Sequence, residues 1–168
     1  MKNGFTLIEM AVAVAVFSFI TASASGLFIS GLKAQKAGLA SQELWDQTSY
    51  LMEYMSRAVR MAKKDIGGAC AGTAKLNYVY SGGCLKFVNY QNQCQQFCLD
   101  GVRMKNEKGE YLTSSRLKVN NFLVTLVGQT QNDDIQPKVS FVFEIEDKEG
   151  SKINIQTSVS QRNLDVQR

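Results

Sequence analysis

Glu9 stands in Gly4-Phe5-Thr6-Leu7-Ile8-Glu9, at the head of the run from Met10 to Leu32, in which none of 23 residues is charged. A carboxylate inside a bilayer costs about 2.5 kcal/mol or more at its centre and less near an end. Glu9 therefore asks for a partner. The other residues able to do chemistry are four cysteines, Cys70, Cys84, Cys94 and Cys98, all within 29 residues. An even, clustered set reads as two disulfides in an oxidising compartment rather than free thiols. A metal site would need cysteine pairs at CxxC-like spacing, and the one close pair here is C-x3-C with glutamines between. The chain has no histidine, which excludes His-based triads and the commonest metal ligand. It shows no nucleophile motif and no phosphate-cradling glycine loop. We read no catalytic residue, metal or cofactor in it, and no enzyme.

Composition sets the frame for these residues. At 168 residues, 45% hydrophobic and 20% charged, the chain can bury one ordinary core. Its net charge of +4 is too small to argue for a nucleic-acid partner. The uncharged run is long enough to cross a bilayer, which takes about 20 residues. Its second half carries Ser18, Thr21, Ser23, Ser25, Gly26, Ser30 and Gly31, small residues suited to close packing against neighbouring helices. Beyond it Ala37, Ala40, Leu44, Leu51, Met55, Ala58 and Ala62 follow three- and four-residue spacings, one apolar face of a helix. No proline occurs before Pro137. The pattern predicts one nearly continuous helix from about Thr6 to about Lys64, roughly 90 Å long, stopped by Gly67-Gly68. A signal anchor is a simpler reading of this N-terminus. So is a cleaved signal peptide, with Lys2 before the run and Ala22-Ser23-Ala24 as a small-residue cleavage site. Both leave Glu9 without a role.

The motif Gly4-Phe5-Thr6-Leu7-Ile8-Glu9, preceded by Lys2 and followed by the apolar run, resembles the processing site of type IV prepilins and of type II secretion pseudopilins. The close resemblance covers the first thirty or so residues. It implies that residues 1–4 are a leader, that a membrane prepilin peptidase cuts between Gly4 and Phe5, and that the same enzyme methylates the Phe5 amine. Gly4 would suit a tight protease cleft because it has no side chain. Glu9 would pair with the Phe5 amine of an adjacent subunit, a contact strong in a low-dielectric helix bundle and costly to leave unmade. Glu9 also lies in the first turn, where the helix dipole favours negative charge. Leader removal takes Lys2, so the side-chain charge falls from +4 to +3. Where major pilins commonly carry proline this chain has Gly26, which leans the resemblance towards a minor pilin or pseudopilin.

The implied organisation is a leader 1–4, a membrane and filament-core helix 5–32, and an extracytoplasmic pilin-like domain 33–168. In that domain the helix would run to about 64, with β structure from about 75 to 160. The implied partners are other pilin subunits, the prepilin peptidase and the inner-membrane assembly machinery. Lys2 precedes the span and Lys33 and Lys36 follow it, so the positive-inside rule does not orient it. An N-in orientation rests on the resemblance and on the cysteines. The alternative is a membrane-anchored or secreted binding module outside that family.

After Gly68 the texture is strand-like: Leu76 to Tyr80, Cys84 to Tyr90, Gln93 to Leu99, Val119 to Leu126, Val139 to Ile145 and Ile153 to Val159. Val139, Phe141, Phe143 and Ile145 alternate with other residues, as do Ile153, Ile155, Thr157 and Val159. Glu146 to Ser151 reads as a hairpin turn. An antiparallel sheet with one apolar face, covered by Leu44, Leu51 and Met55, gives an α+β fold, with Trp45 and Tyr50 expected beneath the sheet. A three-residue loop at Tyr90-Gln91-Asn92 sets Asn89 opposite Gln93 and Cys84 opposite Cys98, close to disulfide reach. That leaves Cys70–Cys94. Three connectivities exist in principle, and a one-residue slip would undo this pairing. Gln131 to Asp134 reads as a polar loop rather than a calcium site. Arg57, Arg60, Lys63 and Lys64 read as a solvated helix face rather than a DNA contact.

Overall fold

The computed structural model describes residues 4–131 and 133–163. A single helix, α1, spans Leu7–Arg60. It is followed by β1 (Tyr78–Ser81), β2 (Cys84–Val88), β3 (Cys94–Asp100), β4 (Arg103–Lys105), β5 (Lys118–Val127), β6 (Lys138–Glu146) and β7 (Lys152–Ser160). The chain divides into two compact units, one ending at Leu39 and the other beginning at Ala40. In the first, every described residue is exposed.

The second unit is an α+β domain with one apolar core. Helix α1 contributes Leu44, Thr48, Leu51, Met55 and Val59, all buried. Their spacing of three and four residues keeps them on one face. Thr48 belongs there because its Oγ1 donates to the Leu44 carbonyl at 2.6 Å, so no hydroxyl is buried without a partner. Trp45 and Tyr50 are not under a sheet, contrary to expectation: they are 58% and 61% exposed. Each neighbours a stripe residue, Leu44 or Leu51, and one residue on is about 100° round a helix. The stripe is too narrow to take them in.

The strands form two antiparallel sheets, β1-β2-β3-β4 and β5-β6-β7, where one had been expected. Backbone bonds from Asn77 N–H to the Gln129 carbonyl (2.9 Å) and from Val119 N–H to the Val102 carbonyl (2.8 Å) tie them together. Strand β4 was not anticipated. It is three residues long, and Met104 is its one buried side chain, too little for alternation to show. In β6, Val139, Phe141, Phe143 and Ile145 are all buried, as strand alternation requires. They join Leu85, Phe87, Phe97 and the helix residues in one cluster.

Helix α1 stops at Arg60, short of the expected Lys64, because tertiary partners take its last carbonyls. The Tyr78 hydroxyl donates to Val59 O at 2.9 Å, Arg162 N–H to Arg60 O at 2.7 Å, and Asn163 Nδ2 to Ala62 O at 2.8 Å. Lys63 N–H bonds to Val88 O at 2.9 Å. These bonds satisfy groups a helix end leaves open. Gly68 serves the following loop instead of stopping the helix. Its φ is +71°, and a Cβ there would stand 2.6 Å from the Ala74 nitrogen, so only glycine fits.

Candidate functional site

The site begins where the helix does. Gly4, Phe5 and Thr6 precede α1 in irregular, exposed chain, and the Phe5 ring is 83% exposed. A Cβ on Gly4 would meet nothing within 4 Å. The chain itself therefore does not require glycine there, and a requirement would have to come from whatever grips this segment. Thr6 is the N-cap. Its N–H and its hydroxyl both donate to Glu9 Oε2, at 2.9 and 2.7 Å. Glu9 N–H in turn points at Thr6 Oγ1 at 3.4 Å, and Met10 N–H closes the first helical turn on Thr6 O at 3.3 Å. This is a capping box, in which cap and third residue satisfy each other's open donors.

Glu9 thus has a partner within its own chain. One carboxylate oxygen is engaged locally. The other, Oε1, has no bond among the described residues and keeps its acceptor capacity. The Thr-x-x-Glu spacing of Thr6 and Glu9 is itself a sequence signature of a helix start.

From Met10 to Leu32 the helix carries an exposed, uncharged and largely apolar surface, with Phe17, Phe19, Leu27 and Phe28 all more than two-thirds exposed. A surface that large marks a membrane or partner contact, and the helix is long and apolar enough to cross a membrane. The hydroxyls along it are back-bonded. Ser18, Thr21, Ser23 and Ser25 donate to the carbonyls of Val14, Phe17, Phe19 and Thr21 at 2.8–2.9 Å. Such bonds remove much of the cost of placing them in an apolar medium.

In the second unit Cys84 stands opposite Cys98 in the β2–β3 ladder, and the two are joined, as are Cys70 and Cys94. The turn between these strands is held by Asn89, whose Oδ1 accepts from Gln91 and Gln93 N–H, both at 2.9 Å. Cys70 lies in the loop before β1, with its Sγ 3.2 Å from the Phe87 carbonyl of β2, and Asp65 places it. The buried Asp65 carboxylate accepts from Ala69, Cys70 and Ala71 N–H at 3.0, 2.8 and 2.8 Å. Burial pushes the Asp65 carboxyl up, but the backbone N–H groups of Ala71, Cys70, Ala69 and Gly68 together hold it below the ordinary value.

Two of the basic residues near the helix end are engaged within the chain. Arg57 pairs with Glu53, and Lys63 Nζ donates to Asn92 Oδ1 at 3.0 Å. In the Gln131 to Asp134 loop, Asp133 accepts from Thr130 and from Ile135 N–H, while Asn132 lies outside the described residues. Among the described residues no group of three or more acidic or cysteine side chains could hold a metal.

Residues 1–25 match the family model described as the prokaryotic N-terminal methylation motif, the class III prepilin signal of type IV pilins and pseudopilins. No curated protein and no solved structure matches the chain.

Proposed function

We propose that the chain is a structural subunit of a type IV pilus or of a type II secretion-type filament. Prepilin peptidase cuts it between Gly4 and Phe5 and methylates the Phe5 amine. Helix 5–32 anchors the precursor in the inner membrane, N-terminus inside, and forms the filament core after assembly. Residues 33–168 are extracytoplasmic, and disulfides Cys70–Cys94 and Cys84–Cys98 suit an oxidising compartment.

The observation that carries this reading is the order of features at the N-terminus. An exposed Gly4–Phe5 bond is followed by a capping box and then by a fully exposed apolar helix. The box uses the Thr6 amide, which survives cleavage. It therefore fixes the Glu9 carboxylate before and after processing and leaves Oε1 for the Phe5 amine of a neighbouring subunit. Breaking such a pair inside a helix bundle is strongly destabilising, because an uncompensated charge is left buried.

The test is the N-terminus of the mature protein, read by mass spectrometry in cells with active prepilin peptidase. The expected chain begins at methylated Phe5. A chain that begins at Ser25, or that keeps Met1, sinks the reading. Quantifying the protein in sheared surface filaments then sorts the class: abundance marks a major pilin, traces a minor pilin, and envelope retention a pseudopilin.

The capping box favours a second reading in one respect, since it gives Glu9 a local role. A membrane-anchored binding module outside the pilin family would need no more. In that case Glu9→Gln, which can still accept from Thr6, leaves localisation and assembly unchanged.

A further inference from the structure

Tyr50 and Trp45 both emerge from the helix of the second unit without core partners, but only Tyr50 lines a cleft. That cleft, about 510 Å³, lies between α1 and the segment 111–114, and Asp46, Gln47, Tyr50, Arg103 and Tyr111 form much of its wall. A hollow of about 150 Å³ continues from Tyr50 along the helix to Tyr54 and Arg57. We propose that this surface is a carbohydrate-binding site, taking a neutral oligosaccharide from Tyr111 past Tyr50 to Tyr54.

Three observations support it. The first is the rings. Tyr50 is 61% and Tyr111 46% exposed, and Tyr50 lies nearly parallel to Tyr54, 9° between planes and 6.2 Å between centroids. The electron-rich face of a tyrosine attracts the partly positive C–H groups on the apolar face of a sugar ring. Tyr111 is held by the Arg103 guanidinium and the Lys105 ammonium, 3.6 and 4.9 Å from its ring centroid, so it borders the site while Tyr50 offers the stacking face. A preordered ring costs little entropy on binding.

The second is the unspent hydrogen-bonding capacity. Asp46 has no bond or ion pair among the described residues. Gln47 uses Oε1 to accept from Ser114 N–H at 3.3 Å, which leaves its Nε2 donor. Arg103 spends Nε and Nη2 on the Thr113 carbonyl at 3.2 and 2.7 Å, which leaves Nη1. An acceptor-only carboxylate beside donor-only groups suits hydroxyls, because each hydroxyl both donates and accepts.

The third is charge. Arg116 pairs with Glu43, Lys105 with Asp100 and Arg57 with Glu53, while Glu107 and Glu110 act on Tyr54 from outside the lining of the cleft. Asp46 and Arg103 are the charged side chains of the cleft lining and carry opposite signs, so the lining itself has no net charge. Leu112 is the one aliphatic side chain in the wall, which is too little for an apolar peptide anchor.

The test uses the full chain in phospholipid vesicles, free of glycoside detergents. Maltohexaose, cellohexaose and N-acetylchitohexaose serve as probes, with saturation-transfer NMR and calorimetry as readouts. At least one probe is expected to bind. Tyr50→Ala and Asp46→Asn should each weaken it roughly tenfold, equivalent to about 1.4 kcal/mol. Both positions are exposed, so folding is preserved, which circular dichroism verifies. Trp45→Ala, on the other flank of the helix, should bind as the unaltered chain does. The proposal is overturned if none of the three probes binds at about 10 mM, a limit of roughly −3 kcal/mol. It is equally overturned if Trp45→Ala weakens binding as much as Tyr50→Ala.

Discussion

Residues 7–39 and residues 40–60 belong to the same helix yet meet opposite demands. The first stretch buries nothing, while the second buries Leu44, Thr48, Leu51, Met55 and Val59 beneath two sheets. The first is apolar all round from Met10 to Leu32 and exposed throughout its described residues. The second is apolar on one stripe and is fully partnered. A helix takes its solvent from its sequence: all-round apolarity asks for lipid or other helices, and a single stripe asks for one core. The second unit therefore holds an internal source of stability, while the apolar surface of the first asks for an apolar environment.

The largest effect that separates the two comes from the core. Leu51→Ala removes a fully buried side chain and should destabilise the second unit by about 2–5 kcal/mol. Phe17→Ala removes a ring that is 70% exposed and should leave that unfolding transition unmoved. Urea denaturation in vesicles, followed by near-ultraviolet dichroism, distinguishes them. If both substitutions shift the midpoint alike, the division at Leu39 has no energetic meaning.

A smaller effect lies within the second unit. Asp65 holds three loop N–H groups, so Asp65→Asn should cost about 1–3 kcal/mol near neutral pH. The carboxyl lies below its ordinary value in the folded chain. The stability it lends is then fully present above the unfolded value of about 3.9. It is lost as pH falls through the lower folded value, once the carboxylate is protonated. The gap between Asp65→Asn and the unaltered chain should narrow on acidification below about pH 5. A gap that stays constant with pH would mean that the charge of Asp65 contributes nothing.

How far the sequence discloses all this follows the same division. Strong periodic patterns were legible: α1 to within a few residues, β5 to β7, and the β2–β3 register, fixed by one three-residue loop. Features set by tertiary contact were not. The helix end depends on Arg162 and Asn163, a hundred residues away in sequence. Strand β4 is too short to show a period. Trp45 and Tyr50 look like core residues by type, and only the narrow stripe reveals that they face out. At the N-terminus the processing motif was plain, but attention to its carboxylate concealed the commoner Thr-x-x-Glu cap written in the same residues.

The smallest predicted effect tests that overlap. Thr6→Ala removes the side chain that caps α1 and should cost about 1 kcal/mol of local helix stability. That is felt as faster amide exchange at residues 8–10, with the second unit unchanged. Glu9→Gln keeps an acceptor for Thr6 and should slow exchange relative to Thr6→Ala. It cannot, however, offer a charge to an amine. If Glu9 serves only the cap, the two variants rank in assembly as they rank in exchange. If Glu9 also meets the Phe5 amine of a neighbour, Glu9→Gln assembles worse than Thr6→Ala although its helix start is the firmer of the two. An inverted order is therefore the signature of the intermolecular contact, and a matched order confines Glu9 to its own chain.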